Sequence, residues 1–167
     1  MAGSKMPHPC SDAESAARKL VGSTVVRIDR VLYEINGVVE PGDGPLEVHL
    51  EDGSVLLFEG ASDGETLRVK DSPWSDPFEG KMSPENVSFI AESGKWTRVS
   101  VSMEAPYSEL IGATVEAADI LENEFGREAG LAIETDARTL WFVIQGDEAH
   151  VFWASPLGYR TRRRFRT

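Results

Sequence analysis

A single cysteine, Cys10, rules out an intramolecular disulfide and fits a reducing compartment. No apolar run approaches the roughly 18 residues of a membrane-spanning helix. Residues 1–15, MAGSKMPHPCSDAES, lack the apolar stretch of a secretory leader. The expectation is a cytoplasmic protein without membrane attachment. Catalytic signatures are missing as well. There is no G-x-x-x-x-G-K-[ST] phosphate loop, no G-x-S-x-G nucleophile elbow and no G-x-G-x-x-G dinucleotide turn. Asp147-Glu148-Ala149-His150 spells a helicase box. Without a phosphate loop the four letters read as a turn leading into a strand.

Histidine is scarce: His8, His49 and His150. A zinc site needs three or four convergent ligands, and no pair of candidate ligands here has diagnostic spacing. No metal and no cofactor are therefore expected, and the histidines read as solvated strand residues.

Positive charge is also short. There are 17 Lys and Arg residues against 28 Asp and Glu, a net of −11 over 167 residues. Five arginines fall in the last eight residues, RTRRRFRT, which leaves 12 basic against 28 acidic residues and a net of −16 for the rest. An acidic body repels nucleic-acid phosphate and anionic membrane and attracts basic partners. Nucleic acid is thus an unlikely partner, and a basic protein is a possible one. The arginine-rich tail is expected to fold back on the acidic body or to pair at a sheet edge.

What is present is strand periodicity. Leu46-Glu47-Val48-His49-Leu50 alternates apolar and polar, as a half-buried strand does. Asp52-Gly53 then separates it from Val55-Leu56-Leu57-Phe58, a hairpin signal. Val26, Ile28 and Leu32 alternate with Arg27 and Asp29, and Thr66–Val69 alternates again. Residues 37–45 read as a loop and 71–85, with three prolines, as an irregular connection. Val87–Ala91 and Trp96–Val101 read as strands around Ser93-Gly94.

The pattern repeats. At an offset of 90, residues 20–29 match 110–119 at Leu, Gly, Thr, Val and Asp. With the loop shortened by six, Asp52, Leu56, Phe58 and Asp63 fall on Asp136, Leu140, Phe142 and Asp147. The expected fold is mainly β: two copies of a four-strand antiparallel meander related by a pseudo-two-fold and packed around a shared core, with one or two short helices before the copies. The expected organisation is a flexible arm (1–12), one globular domain of repeat 1 (13–70), insertion (71–106) and repeat 2 (107–154), and a basic tail (155–167).

The candidate binding residues follow from this layout. Asp63 and Asp147 hold matching turns and could pair as acid and base or hold a cation, although turn aspartates commonly bond their own backbone. His49 and His150 could join them at the seam if the copies face one another suitably. Trp74, between prolines in an irregular loop, is a candidate anchor, with a folded-down loop plug as the plainer reading. The leading functional expectation is a non-catalytic acidic module that binds a basic protein. Small bacterial accessory proteins, including toxin-neutralising immunity proteins, share this general type, but no motif here carries the likeness. The alternative is a small-ligand or metal-binding protein, a hydrolase included, with its site at the seam. The oligomeric state is open.

Overall fold

The computed structural model describes residues 10–167. His8 and most of the expected arm lie outside the described residues. Helix α1 (Asp12–Leu20) begins inside the stretch expected as arm. Ser11 caps it, its hydroxyl accepting from the Glu14 N–H at 3.1 Å. Asp12 and Glu14 in the first turn and Arg18 and Lys19 in the last suit the helix dipole. Ala13, Ala16, Ala17 and Leu20 recur at helical spacing and form its buried face.

Eleven strands follow among the described residues. They are β1 (Val25–Ile35), β2 (Val38–Val39), β3 (Leu46–Leu50), β4 (Val55–Gly60), β5 (Leu67–Lys70), β6 (Lys95–Ser100), β7 (Val115–Glu122), β8 (Glu128–Thr135), β9 (Thr139–Gln145), β10 (Glu148–Phe152) and β11 (Arg160–Arg166). A second helix, α2 (Pro84–Ser93), precedes β6, and a 3-10 turn at Tyr107–Glu109 precedes β7. The strands form two antiparallel sheets. The first runs β1-β3-β4-β5, with β6 on the other edge of β1 and β2 closing a hairpin on its end. The second runs β11-β7-β8-β9-β10. In each sheet a meander of four strands is joined at its first strand by the last strand of that half.

One core cluster takes its residues from both sheets and from α1. Ile28, Val48, Leu56 and Phe58 enter from the first sheet, and Ile120, Leu131, Leu140 and Phe142 from the second. Phe58 and Phe142, both fully buried, meet with ring centroids 5.8 Å apart. Burying side chains of this size contributes about 1.5–3 kcal/mol each. Helix α1 lies against β5 of one sheet and β7 and β8 of the other.

Where the halves meet, the hydrogen bonds are reciprocal. The Gly22 N–H donates to Val115 O at 2.8 Å and the Gly112 N–H to Val25 O at 2.7 Å. The Val25 N–H donates to Ala113 O at 3.0 Å and the Val115 N–H to Ser23 O at 2.8 Å. Thr24 pairs with Thr114 in an antiparallel bridge, with hydroxyls 3.3 Å apart. Each bond has its partner 90 residues away. The structure displays this seam and the shared strand order; duplication and a two-fold axis over the whole sheets stay expectations.

Three sequence expectations are corrected, and one on the tail holds. Val87–Ala91 is helix, not strand: Ser83 caps α2 by accepting from the Asn86 N–H at 3.2 Å, Pro84 takes the first turn, and Gly94 ends it at φ 74°. A proline pre-set for the first helical turn after a serine cap outweighs five residues of alternation. Residues 37–45 are not all loop, because Asn36-Gly37, both at positive φ, turn β1 into β2. The tail is strand β11, paired along β7, the meander's edge strand, as one of the two expected outcomes had it. Finally, the turns at Asp63 and Asp147 differ in length. Phe58 pairs with Val69 and Phe142 with Val151, so the Gly146-Asp147 turn is tighter than the loop over 61–66.

Candidate functional site

Alternation along β1, β3 and β6 sends one set of side chains away from the core, and these build the outer face of the first sheet. Register places Arg27 beside His49, Asp29 between Glu47 and Ser100, Val31 beside Arg98, and Tyr33 beside Trp96. The face is polar at one end and aromatic at the other. Glu47 and His49, read from sequence as the wet side of a strand, are covered: Glu47 and Asp29 are both 0% exposed. The cover is the 71–79 segment, drawn down at Trp74.

Trp74 is held by its backbone. Its N–H donates to Glu47 Oε2 at 2.8 Å, and its carbonyl accepts from Arg98 Nη2 at 2.6 Å. Arg98 Nη2 also donates to Glu47 Oε2 at 3.1 Å. Arg27 Nε donates to Asp29 Oδ1 at 3.0 Å, and that bond pushes the Arg27 guanidinium up from its ordinary value. His49 Nε2 lies 2.6 Å from Glu47 Oε1 and 3.7 Å from Asp29 Oδ2. Asp29 Oδ2 is buried and has no hydrogen-bond partner. Two carboxylates side by side are thus desolvated between two arginines and a histidine.

At the other end of the face an open cleft of about 340 Å³ is lined by five aromatic rings. Tyr33 and Trp96 rise from the sheet, edge to face with centroids 5.7 Å apart. Trp74, Pro77 and Phe78 come from the connection, and Phe89 from α2. Trp96 is 41% exposed and Phe89 55%, and α2 buries none of its residues. Trp74 is thus tied to the sheet through its backbone, and it lines the cleft. Lys95 also lines it, its Nζ 3.7 Å from Asp76.

The remaining sequence candidates do not join this face. Asp63 closes its own turn, accepting from the Glu65 and Thr66 N–H groups and from the Thr66 hydroxyl. These bonds hold its carboxyl down at about 2. Asp147 turns at φ 68°, and its N–H donates to Gly64 O at 3.0 Å. The two turns touch, but Asp63 is spent on its own backbone. His150 lies on the outer face of the second sheet, 3.1 Å from Glu148 and beside Phe152, while His49 is on the outer face of the first. The core lies between those faces, so Asp63, Asp147, His49 and His150 do not form one site.

Sequence reasoning missed Asp29, Glu47 and Arg98, whose burial comes from a connection that carries no periodic signal. It also missed Phe78 and Phe89, which meet at 6.3 Å only because α2 is a helix. No family model, curated protein or solved structure matches this chain.

Proposed function

We propose that this chain is a non-catalytic acidic module that binds a basic segment of a partner protein in the aromatic cleft beneath α2. The observation that carries the reading is the cleft itself, an open pocket of about 340 Å³ walled by Tyr33, Trp74, Phe78, Phe89 and Trp96. Aromatic faces attract guanidinium and ammonium groups, and tryptophan and tyrosine are the side chains most used as binding anchors. The surroundings carry matching charge, since residues 71–94 hold Asp71, Asp76, Glu79, Glu85 and Glu92 against Lys81 alone. An acidic rim speeds capture of a basic partner and suppresses acidic competitors. Masking a basic enzyme, as toxin-neutralising immunity proteins do, is one activity that such a surface serves.

The test is a tryptophan-fluorescence titration with an arginine-rich peptide and a glutamate-rich peptide of equal length. The arginine-rich peptide should give a saturable change that weakens with salt. Phe89→Ala, which keeps every charge, should weaken it at least about tenfold, the scale of one anchoring side chain. A response equal for both peptides, no response, or one indifferent to Phe89→Ala overturns the reading.

A further inference from the structure

We propose that Asp29, Glu47 and His49 form a binding site for a single divalent transition-metal ion of the zinc type. Among the described residues these three make the one group of His, Cys, Asp or Glu whose ligand atoms lie within 4.8 Å of one another. The atoms are Asp29 Oδ2, Glu47 Oε1 and His49 Nε2. What selects them is how the other oxygens are used. Asp29 Oδ1 is taken by Arg27, and Glu47 Oε2 by Arg98 and the Trp74 N–H. Each carboxylate thus has one oxygen oriented by a neighbour and one turned toward the imidazole, the arrangement in which outer partners fix metal ligands.

The oxygen on Asp29 is the independent sign. It belongs to a side chain that is 0% exposed, and it has no hydrogen-bond partner, its nearest cationic neighbour besides His49 being Arg98 Nε at 3.8 Å. A buried carboxylate oxygen without a hydrogen bond costs free energy that a guanidinium 3.8 Å away offsets only in part, and a cation held between it and His49 Nε2, 3.7 Å away, would bond it directly. Ligands on a tetrahedral zinc ion at about 2.1 Å lie roughly 3.4 Å from each other. The 3.7 Å separation already suits that, and the 2.6 Å hydrogen bond between His49 and Glu47 opens by under about 1 Å when a metal replaces its proton.

The carboxylates are fully desolvated, whereas Arg27 and Arg98 are 51% and 34% exposed and so are screened by water. One nitrogen and two oxygens suit zinc-type ions; calcium takes six to eight oxygens. Of the three ligands only His49 reaches solvent, at 23% exposure. The site is separate from the aromatic cleft, to which only the Trp74 backbone links it.

The test is calorimetric titration of zinc chloride into the full chain carrying Cys10→Ser, which removes thiol binding. One ion per chain should bind, with calcium failing to compete. Asp29→Asn and His49→Gln should each weaken binding at least about tenfold, while Phe89→Ala leaves it unchanged. Circular dichroism checks the fold of each variant, and if Asp29→Asn unfolds, the partly exposed His49→Gln decides. Absence of saturable one-to-one binding, equal binding of calcium, or full affinity in a folded His49→Gln overturns the proposal. Loss of peptide binding in Phe89→Ala with zinc binding retained would leave this site standing apart from the cleft.

Discussion

Asp29 and Asp119 stand 90 residues apart and hold corresponding places, on the first strand of each meander and facing away from the core. Their surroundings are unlike. Asp29 is paired across β3 with Glu47 and sealed beneath Trp74. Asp119 faces Ala132 across β8 and is gripped through both oxygens by Arg164, which also reaches Glu134. Partial burial pushes the Asp119 carboxyl up, against the pull of Arg164. The difference originates in the connections. Between β5 and β6 the chain spends residues 71–94 on a cover and a helix; between β10 and β11 it spends only 153–159. Tyr159 in that shorter link packs on Leu121, Ala132 and Val143 and donates its hydroxyl to Ile144 O at 2.8 Å. One outer face became a desolvated polar pocket with an aromatic cleft, and the other a small apolar patch beside surface ion pairs. The strands alone do not distinguish them.

This contrast can be broken or sharpened by measurement. The largest effects belong to the core that the halves share. Phe58→Ala and Phe142→Ala should each cost about 3–5 kcal/mol in urea denaturation, and because the rings touch, the double variant should depart from additivity. A small cost at one ring alone would show that the core belongs chiefly to one half. Next come the outer faces. Asp29→Ala takes away the carboxylate bonded to Arg27, while Arg98 and His49 keep Glu47, and should cost about 1–3 kcal/mol, whereas Asp119→Ala should cost about 1 kcal/mol or less. Equal costs would erase the distinction.

The cover has its own weak point. Gly94 sits at φ 74°, where a Cβ would lie 2.5 Å from Glu34 O. Gly94→Ala should destabilise by about 1–3 kcal/mol and shift tryptophan emission through Trp96, while Gly126→Ala, with open space around it, costs less.

The smallest effect is at Asp63. Its folded carboxyl lies at about 2 against an ordinary 3.8. A depressed acid stabilises the fold above its unfolded value, and that contribution drains away as pH falls through the folded value. The gap between wild type and Asp63→Asn should thus be constant above about pH 5 and close toward pH 2. Thermal melts across that range would show it. A gap that persists at pH 2 would mean the turn does not depend on the charge.

How much was legible follows from which forces act locally. Leu46-Glu47-Val48-His49-Leu50 declared its strand and its inward face because alternation is a property of five consecutive residues. The Asp52-Gly53 turn was readable for the same reason. Val87–Ala91 misled because its alternation is short and the serine and proline before it decide the outcome. Asn36-Gly37 was as plain a hairpin as any and was hidden inside a glycine-rich loop. Trp74 was singled out as a loop tryptophan, but nothing near it in sequence announces Glu47 and Arg98 as its anchors.

Residue order alone carried a mainly β chain with an acidic body, the inward face of β3, and the matched Leu-Gly-Thr-Val segments that form the reciprocal seam; it misplaced Val26, which is 44% exposed. These rest on periodicity and on short turns, which residues a few positions apart settle between themselves. Long-range packing settled that Glu47 and Asp29 lose their water, that His49 and His150 face opposite ways, and that Arg163 of the last strand meets Glu14 at 2.8 Å. Each of these depends on a neighbour supplied from far along the chain. Desolvation is a property of what covers a side chain, and the covering segment from 71 to 79 lies more than twenty residues from the carboxylates it seals.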